Sequence, residues 1–131
     1  EIHLSLQRKF MLKTLFNLFR KTDKNSLETL QQRIEQGDAE AMYQLGRFYH
    51  IGEVVEADYD KAMTLYHRAN ALGYPLAANN IGALYDDMGE PEKSVEWFEQ
   101  GIRQGDKRAT INLGRFYLLG IGVEQDTFKG M

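Results

Sequence analysis

The chain has 131 residues, 43% hydrophobic and 27% charged, with two prolines and a formal net charge of -3; that composition suits one folded domain with room for much helix and excludes extensive disorder. The absence of cysteine excludes disulfide staples, thiolate metal ligands and a cysteine nucleophile, and fits a reducing, cytoplasmic setting. Charge is unevenly spread, with six Lys/Arg against two acids in residues 1–24 and ten against seventeen in the remainder, so a basic head precedes an acidic body.

The first expected helix lies within residues 5–21. Leu12, Leu15, Phe16 and Phe19 fall at i, i+3, i+4 and i+7, surrounded by Lys9, Lys13, Arg20 and Lys21, the pattern of a basic amphipathic helix. Two readings are open for residues 10–21. The stripe docks on an anionic membrane surface, where apolar burial and lysine attraction add, or it packs on the following helices as a cap, because an exposed Leu/Phe stripe is costly. Lys13, Thr14 and Asn17 interrupt the cluster, and it falls short of the roughly 20 apolar residues of a membrane span. No small-residue cleavage pattern follows it, and Met11 is a candidate natural start, which would make residues 1–10 upstream sequence.

The next helix, 26–36, puts Leu27, Leu30 and Ile34 on one face and stops at Gly37. Further helices are expected over 38–50, 58–72, 75–87, 91–104 and 106–118. Three of them carry one signature: Leu45-Gly46-Arg47-Phe48-Tyr49 returns letter for letter as Leu113-Gly114-Arg115-Phe116-Tyr117, with Ile81-Gly82-Ala83-Leu84-Tyr85 between. The copies are 36 and 32 residues apart, a period that marks stacked helical pairs. Glycine inside a helix costs about 1 kcal/mol relative to alanine, so its recurrence at one register marks a point where the second helix crosses closely. Gly37, Gly73 and Gly105 close the second helices, where positive φ is needed, and Asp38 and Asp106 are placed to cap the helices that follow.

Aligned on the Leu-Gly pair, the copies read Ala41-x-x-x-Leu45-Gly46-x-x-Tyr49, Ala77-x-x-x-Ile81-Gly82-x-x-Tyr85 and Ala109-x-x-x-Leu113-Gly114-x-x-Tyr117. Second-helix residues Asp58, Lys61, Ala62, Tyr66, Ala69 and Gly73 complete copy one. This pattern resembles the Sel1-like repeat, a relative of the tetratricopeptide repeat. Val54 and Leu65 stand where that family has Gly and Trp. Copy three repeats the family loop, Gly120-x-Gly122-Val123-x-x-Asp126-x-x-Lys129, whereas copy two turns through Met88-Gly89-Glu90-Pro91-Glu92. The resemblance implies an all-α fold, a right-handed α-solenoid of antiparallel helix pairs. Residues 1–24 form its basic amphipathic head and 25–131 the array, with a capping helix 26–36, repeats 37–73 and 74–105, and an incomplete repeat 106–131. The chain stops at Met131, where the third repeat should begin its second helix. Phe116, Leu119, Ile121 and Val123 are therefore expected to be short of cover, in a longer protein or at an edge open to self-association or burial against another chain.

The resemblance also implies a non-catalytic scaffold or adaptor that binds a protein or peptide on the concave face, which the first helix of each pair lines. Gln44, Asn80 and Asn112 each precede a Leu/Ile-Gly pair and are expected in one row, able to bond an extended peptide backbone. Arg47 and Arg115 flank that row, with Tyr43, Asn79, His50, Asp86 and Arg108 nearby. Guanidinium groups favour an acidic peptide or a C-terminal carboxylate. The plainer reading is that the amides only keep the face polar. A cytoplasmic neutraliser of a bacterial effector is one form of the adaptor reading. The enzymatic rival, binding or hydrolysis of β-lactams, belongs to secreted members of the family with a cysteine pair per repeat, which this chain lacks.

Catalytic and cofactor signals are otherwise weak, and no cofactor is expected. His3, His50 and His67 lack metal-ligand spacing. Asp86-Asp87 and Asp58/Asp60 sit where acids suit turns and helix starts. Gly120-Ile121-Gly122 follows a helix, not the strand of a phosphate loop, and Ser5, Ser26 and Ser94 have no nucleophile elbow. Trp97 occupies an aromatic packing position. A head this short before so acidic an array is not expected to bind nucleic acid.

Overall fold

The computed structural model describes the backbone of residues 2–22 and 26–121 and the side chains of residues 3–15 and 26–121. Phe16, Phe19, Arg20 and Lys21 of the amphipathic stripe therefore lie outside the described side chains, as do Val123 and the Asp126–Lys129 part of the third repeat. Among the described residues the chain forms seven helices and no strand: α1 (Ile2–Thr22), α2 (Leu27–Glu35), α3 (Ala39–Ile51), α4 (Tyr59–Ala71), α5 (Ala77–Asp87), α6 (Pro91–Arg103) and α7 (Lys107–Leu119).

Local chemistry sets the ends. Side-chain oxygens of Ser26, Asp38, Asp58 and Asp106 accept from backbone N–H groups in the first turns of α2, α3, α4 and α7, satisfying donors that have no intrahelical partner. α6 starts on Pro91, whose missing N–H costs nothing at that position. Gly73 and Gly105, both at φ +85°, reverse the chain after α4 and α6 where a β-carbon would be strained. Val54 also lies at φ +69°. A β-branched residue in that region stores strain of about 1–2 kcal/mol, the consequence of Val in the family's Gly slot.

Helices pack in antiparallel pairs. The end of α3 lies beside the start of α4, with Lys61 Nζ 5.3 Å from the centre of the Tyr49 ring, and Tyr85 of α5 meets Lys93 of α6 at 5.5 Å in the same way. The recurrent glycines sit at the crossings. A β-carbon on Gly46 would stand 2.7 Å from the Tyr66 ring, and one on Gly82 would stand 2.6 Å from the Phe98 ring. Ser94 fills the small-residue slot facing Gly82 and donates to its carbonyl at 2.7 Å. One buried core runs from Leu30 of α2 through Ala41, Leu45, Leu65, Tyr66 and Ile81 to Leu84, and a second joins Phe98, Ala109 and Phe116.

Two expectations are corrected. The start of the array is covered by α2, whose Leu30 is buried, and the described part of the α1 stripe does not pack on it as a cap, since Phe10, Met11, Leu12 and Leu15 are all exposed. At the other end Phe116 is not short of cover. Its ring meets Phe98 edge-on at 5.2 Å and is fully buried, and Ile121 packs half-buried on the same cluster. Leu119 is exposed as expected. Phe116 is covered because α6 of the preceding repeat contributes the Phe98 ring to this layer.

Candidate interaction face

The first helices of the repeats, α3, α5 and α7, share a face, and side chains bond across it. Tyr43 of α3 donates to Asn80 Oδ1 of α5 at 3.3 Å. Asn112 of α7 donates to Asn79 Oδ1 of α5 at 2.9 Å. Arg108 of α7 donates to the Tyr43 hydroxyl at 3.2 Å, joining the first and third repeats without passing through the second. The bond brings the ends of the Arg108 and Tyr43 side chains together beside Leu76, just before α5.

These bonds form one directional chain. Arg108 is held by Asp106, at 2.7 Å between Nη2 and Oδ2, and by the Leu76 carbonyl at 3.1 Å. Its Nη1 donates to Tyr43, and Tyr43 donates to Asn80 Oδ1; Asn80 Nδ2 then donates to the Tyr66 hydroxyl at 3.4 Å. The Tyr66 hydroxyl is also bonded to His50 Nδ1 at 3.1 Å, and it donates there when the ring is neutral and turns its Nε2 proton to Asp87. A neutral His50 ring then carries its proton on Nε2, which lies 2.6 Å from Asp87 Oδ2. A cation at one end and a carboxylate at the other thus polarise every link in the same sense. The Asp106 pair, with the Tyr43 bond, raises the Arg108 pKa further above its already high ordinary value.

Burial pushes the Tyr66 hydroxyl from its usual 10.0 up to about 12. The folded state therefore keeps a proton that the unfolded chain releases, so this contribution to stability is complete below pH 10 and is lost as pH rises through about 12. Urea denaturation at a series of alkaline pH values is expected to show stability falling over that window. In Tyr66→Phe the fall becomes shallower. The remainder comes partly from Tyr74, which burial also raises; an unchanged slope refutes the assignment to Tyr66.

The expected site residues divide into two sets. Tyr43, Asn79 and Asn80 are buried; with His50, Arg108 and Asn112 they bond within the protein. The expected row of Gln44, Asn80 and Asn112 open to a peptide backbone is thus corrected, because Asn80 and Asn112 are engaged with different partners inside the stack. The outward set is Gln44, Arg47, Asp86 and Arg115. Arg47 is exposed and reaches Gln44 Oε1 at 3.5 Å, while Arg115 is exposed and stands 3.8 Å from Asp86. The sequence reading missed two residues of this face. Asp87 ends the bonded chain, and its acidic neighbour Asp86 was the only signal. Ile111 is 71% exposed, one residue before Asn112, an apolar break in a polar row.

Residues 39–74, 75–106 and 107–131 match the Sel1 repeat family in three consecutive units. Among curated proteins the chain is similar to chitin synthase regulatory factor 4 of Schizosaccharomyces pombe, 33% identical over 98 residues. Among solved structures it is similar to c5321, a protective antigen of uropathogenic Escherichia coli with an SLR fold, at TM-score 0.70 and 34% identity over 79% of this chain. It is also similar to a Sel1 repeat protein of Oxalobacter formigenes, at TM-score 0.71 and 32% identity over 82% of this chain. The matched region is 74% of this chain and 16% of the yeast protein, and the chain covers 23% and 46% of the two solved structures. With the repeats matched from residue 39 onward and the helix pairs stacked as in these relatives, the chain belongs to the Sel1 repeat family.

Proposed function

We propose that the chain is a non-catalytic scaffold that holds a protein or peptide segment against the concave face of α3, α5 and α7. The observation that carries this reading is the Arg108–Tyr43 bond across two repeats, which rigidifies a concave surface while leaving Arg47, Arg115 and Ile111 exposed on it. A surface already ordered loses little entropy on binding, and exposed arginines match carboxylates on a partner. Similarity to a protein named as a regulatory factor is in keeping with a binding role.

The Tyr66–His50–Asp87 sequence has the connectivity of an activated nucleophile, but its chemistry runs the other way. Tyr66 is fully buried and its hydroxyl is harder to deprotonate than a free tyrosine, so the arrangement serves the scaffold. The test is retention of partner by the tagged chain from cell lysate, compared with Arg47→Glu/Arg115→Glu. Interface arginines commonly carry about 2 kcal/mol each, so the double reversal is expected to weaken retention at least thirtyfold at an unchanged melting temperature. Equal retention by the two proteins refutes the concave-face reading.

A further inference from the structure

The concave face leaves the basic helix α1 unexplained. Its described side chains, residues 3–15, are exposed throughout, including Leu4, Leu6, Phe10, Met11, Leu12 and Leu15. α1 holds five Lys/Arg and no acidic residue, while residues 25–131 hold an excess of acids. At about 100° per residue, Leu4, Met11, Leu12 and Leu15 share one face with Arg8 at its N-terminal part, Lys9 and Lys13 adjoin it one turn apart, and Leu6 and Phe10 fall on the other side. No helix among the described residues is long and apolar enough to cross a membrane.

We infer that α1 is an in-plane anchor that lays its Met11–Leu12–Leu15 face into an anionic phospholipid bilayer, with Lys9 and Lys13 at the headgroup phosphates. Charge complementarity selects this occupant over the α1 helix of a second copy. Pairing two α1 helices sets like charges together with no acid on either helix to offset them, whereas an anionic leaflet attracts each lysine and also receives the apolar face. The acidic array is repelled by the same leaflet. It therefore adds nothing to the membrane contact, so the anchor is separable from partner binding.

The test is co-sedimentation of the full chain with vesicles of phosphatidylcholine alone and of phosphatidylcholine mixed with phosphatidylserine. Binding is expected to the mixed vesicles and to weaken as salt is raised. Each lysine near an anionic surface is worth about fivefold in partitioning, so Lys9→Ala/Lys13→Ala should reduce binding roughly 25-fold. Leu12→Ser/Leu15→Ser, which leaves the charge unchanged, should reduce it about tenfold or more. Both variants should keep the wild-type melting temperature, because these side chains are exposed. The inference is overturned by absence of vesicle binding, by equal binding to both vesicle types, or by full binding of the serine variant. A fall in its melting temperature places α1 on the array instead. A wild-type dimer in sedimentation equilibrium that the serine variant dissolves assigns the face to a second copy. Retention of a protein partner through the concave face is read separately, so either proposal can fail alone.

Discussion

Gly46→Ala is expected to destabilise the protein by about 2 kcal/mol, while the same change at Gly114 is expected to stabilise it by up to about 1 kcal/mol. The two glycines sit in identical pentads, Leu-Gly-Arg-Phe-Tyr, so local sequence predicts equal effects. At Gly46 the new methyl would stand 2.7 Å from two carbons of the Tyr66 ring. That ring cannot swing away cheaply, because its hydroxyl is bonded to both Asn80 and His50. Relief requires either α4 to move off α3 or those bonds to lengthen, and both outweigh the gain in helix propensity. Among the described residues nothing lies within 4 Å of the added carbon at Gly114, which leaves the propensity gain alone. Thermal melts of the two variants decide it, the pair separating by several degrees in opposite directions. Equal melting temperatures show that close crossing is not what glycine does at this register.

Asn80→Ala is expected to lower stability by about 2–3 kcal/mol, through loss of an acceptor for the buried Tyr43 hydroxyl and of a donor to Tyr66. Asn80 joins the two halves of the Arg108-to-Asp87 chain. Its removal leaves Tyr43 and Tyr66 buried with unmet bonding capacity in a region of low dielectric, where such groups are costly. Denaturant titration measures the loss. Arg47→Glu/Arg115→Glu should behave oppositely, sparing stability and removing partner. If Asn80→Ala instead lowers partner retention with unchanged denaturation, Asn80 is a ligand contact after all.

The contrast between these variants separates what was legible in the sequence from what was not. Helix positions were legible because an apolar period of 3.6 residues and capping chemistry act within a few residues of chain. Ser26, Asp38, Asp58 and Asp106 cap where their position beside a helical pattern says they should. The repeat architecture was legible because three registered copies of one packing code leave few ways to bury it. The roles of the polar residues on the shared face of α3, α5 and α7 were not. Asn80 and Asn112 hold the same place in their repeats, yet one links Tyr43 to Tyr66 and the other bonds Asn79.

The sequence by itself determined that this is a stack of Sel1-type helix pairs, where α2 to α7 begin and end to within two residues, and that glycine recurs at one register. Only the tertiary structure decided that Gly46 is a socket for a ring while no described residue crosses Gly114, that Phe116 is covered, and that Tyr43 and Asn80 face inward to hold the stack. It likewise decided that Arg47 and Arg115 stay at the surface and that the described α1 stripe is left unburied. The physical reason is range. Periodicity and capping are set by neighbours along the chain, whereas contact and burial are set by partners such as Arg108 for Tyr43, 65 residues away, whose approach depends on how the pairs stack.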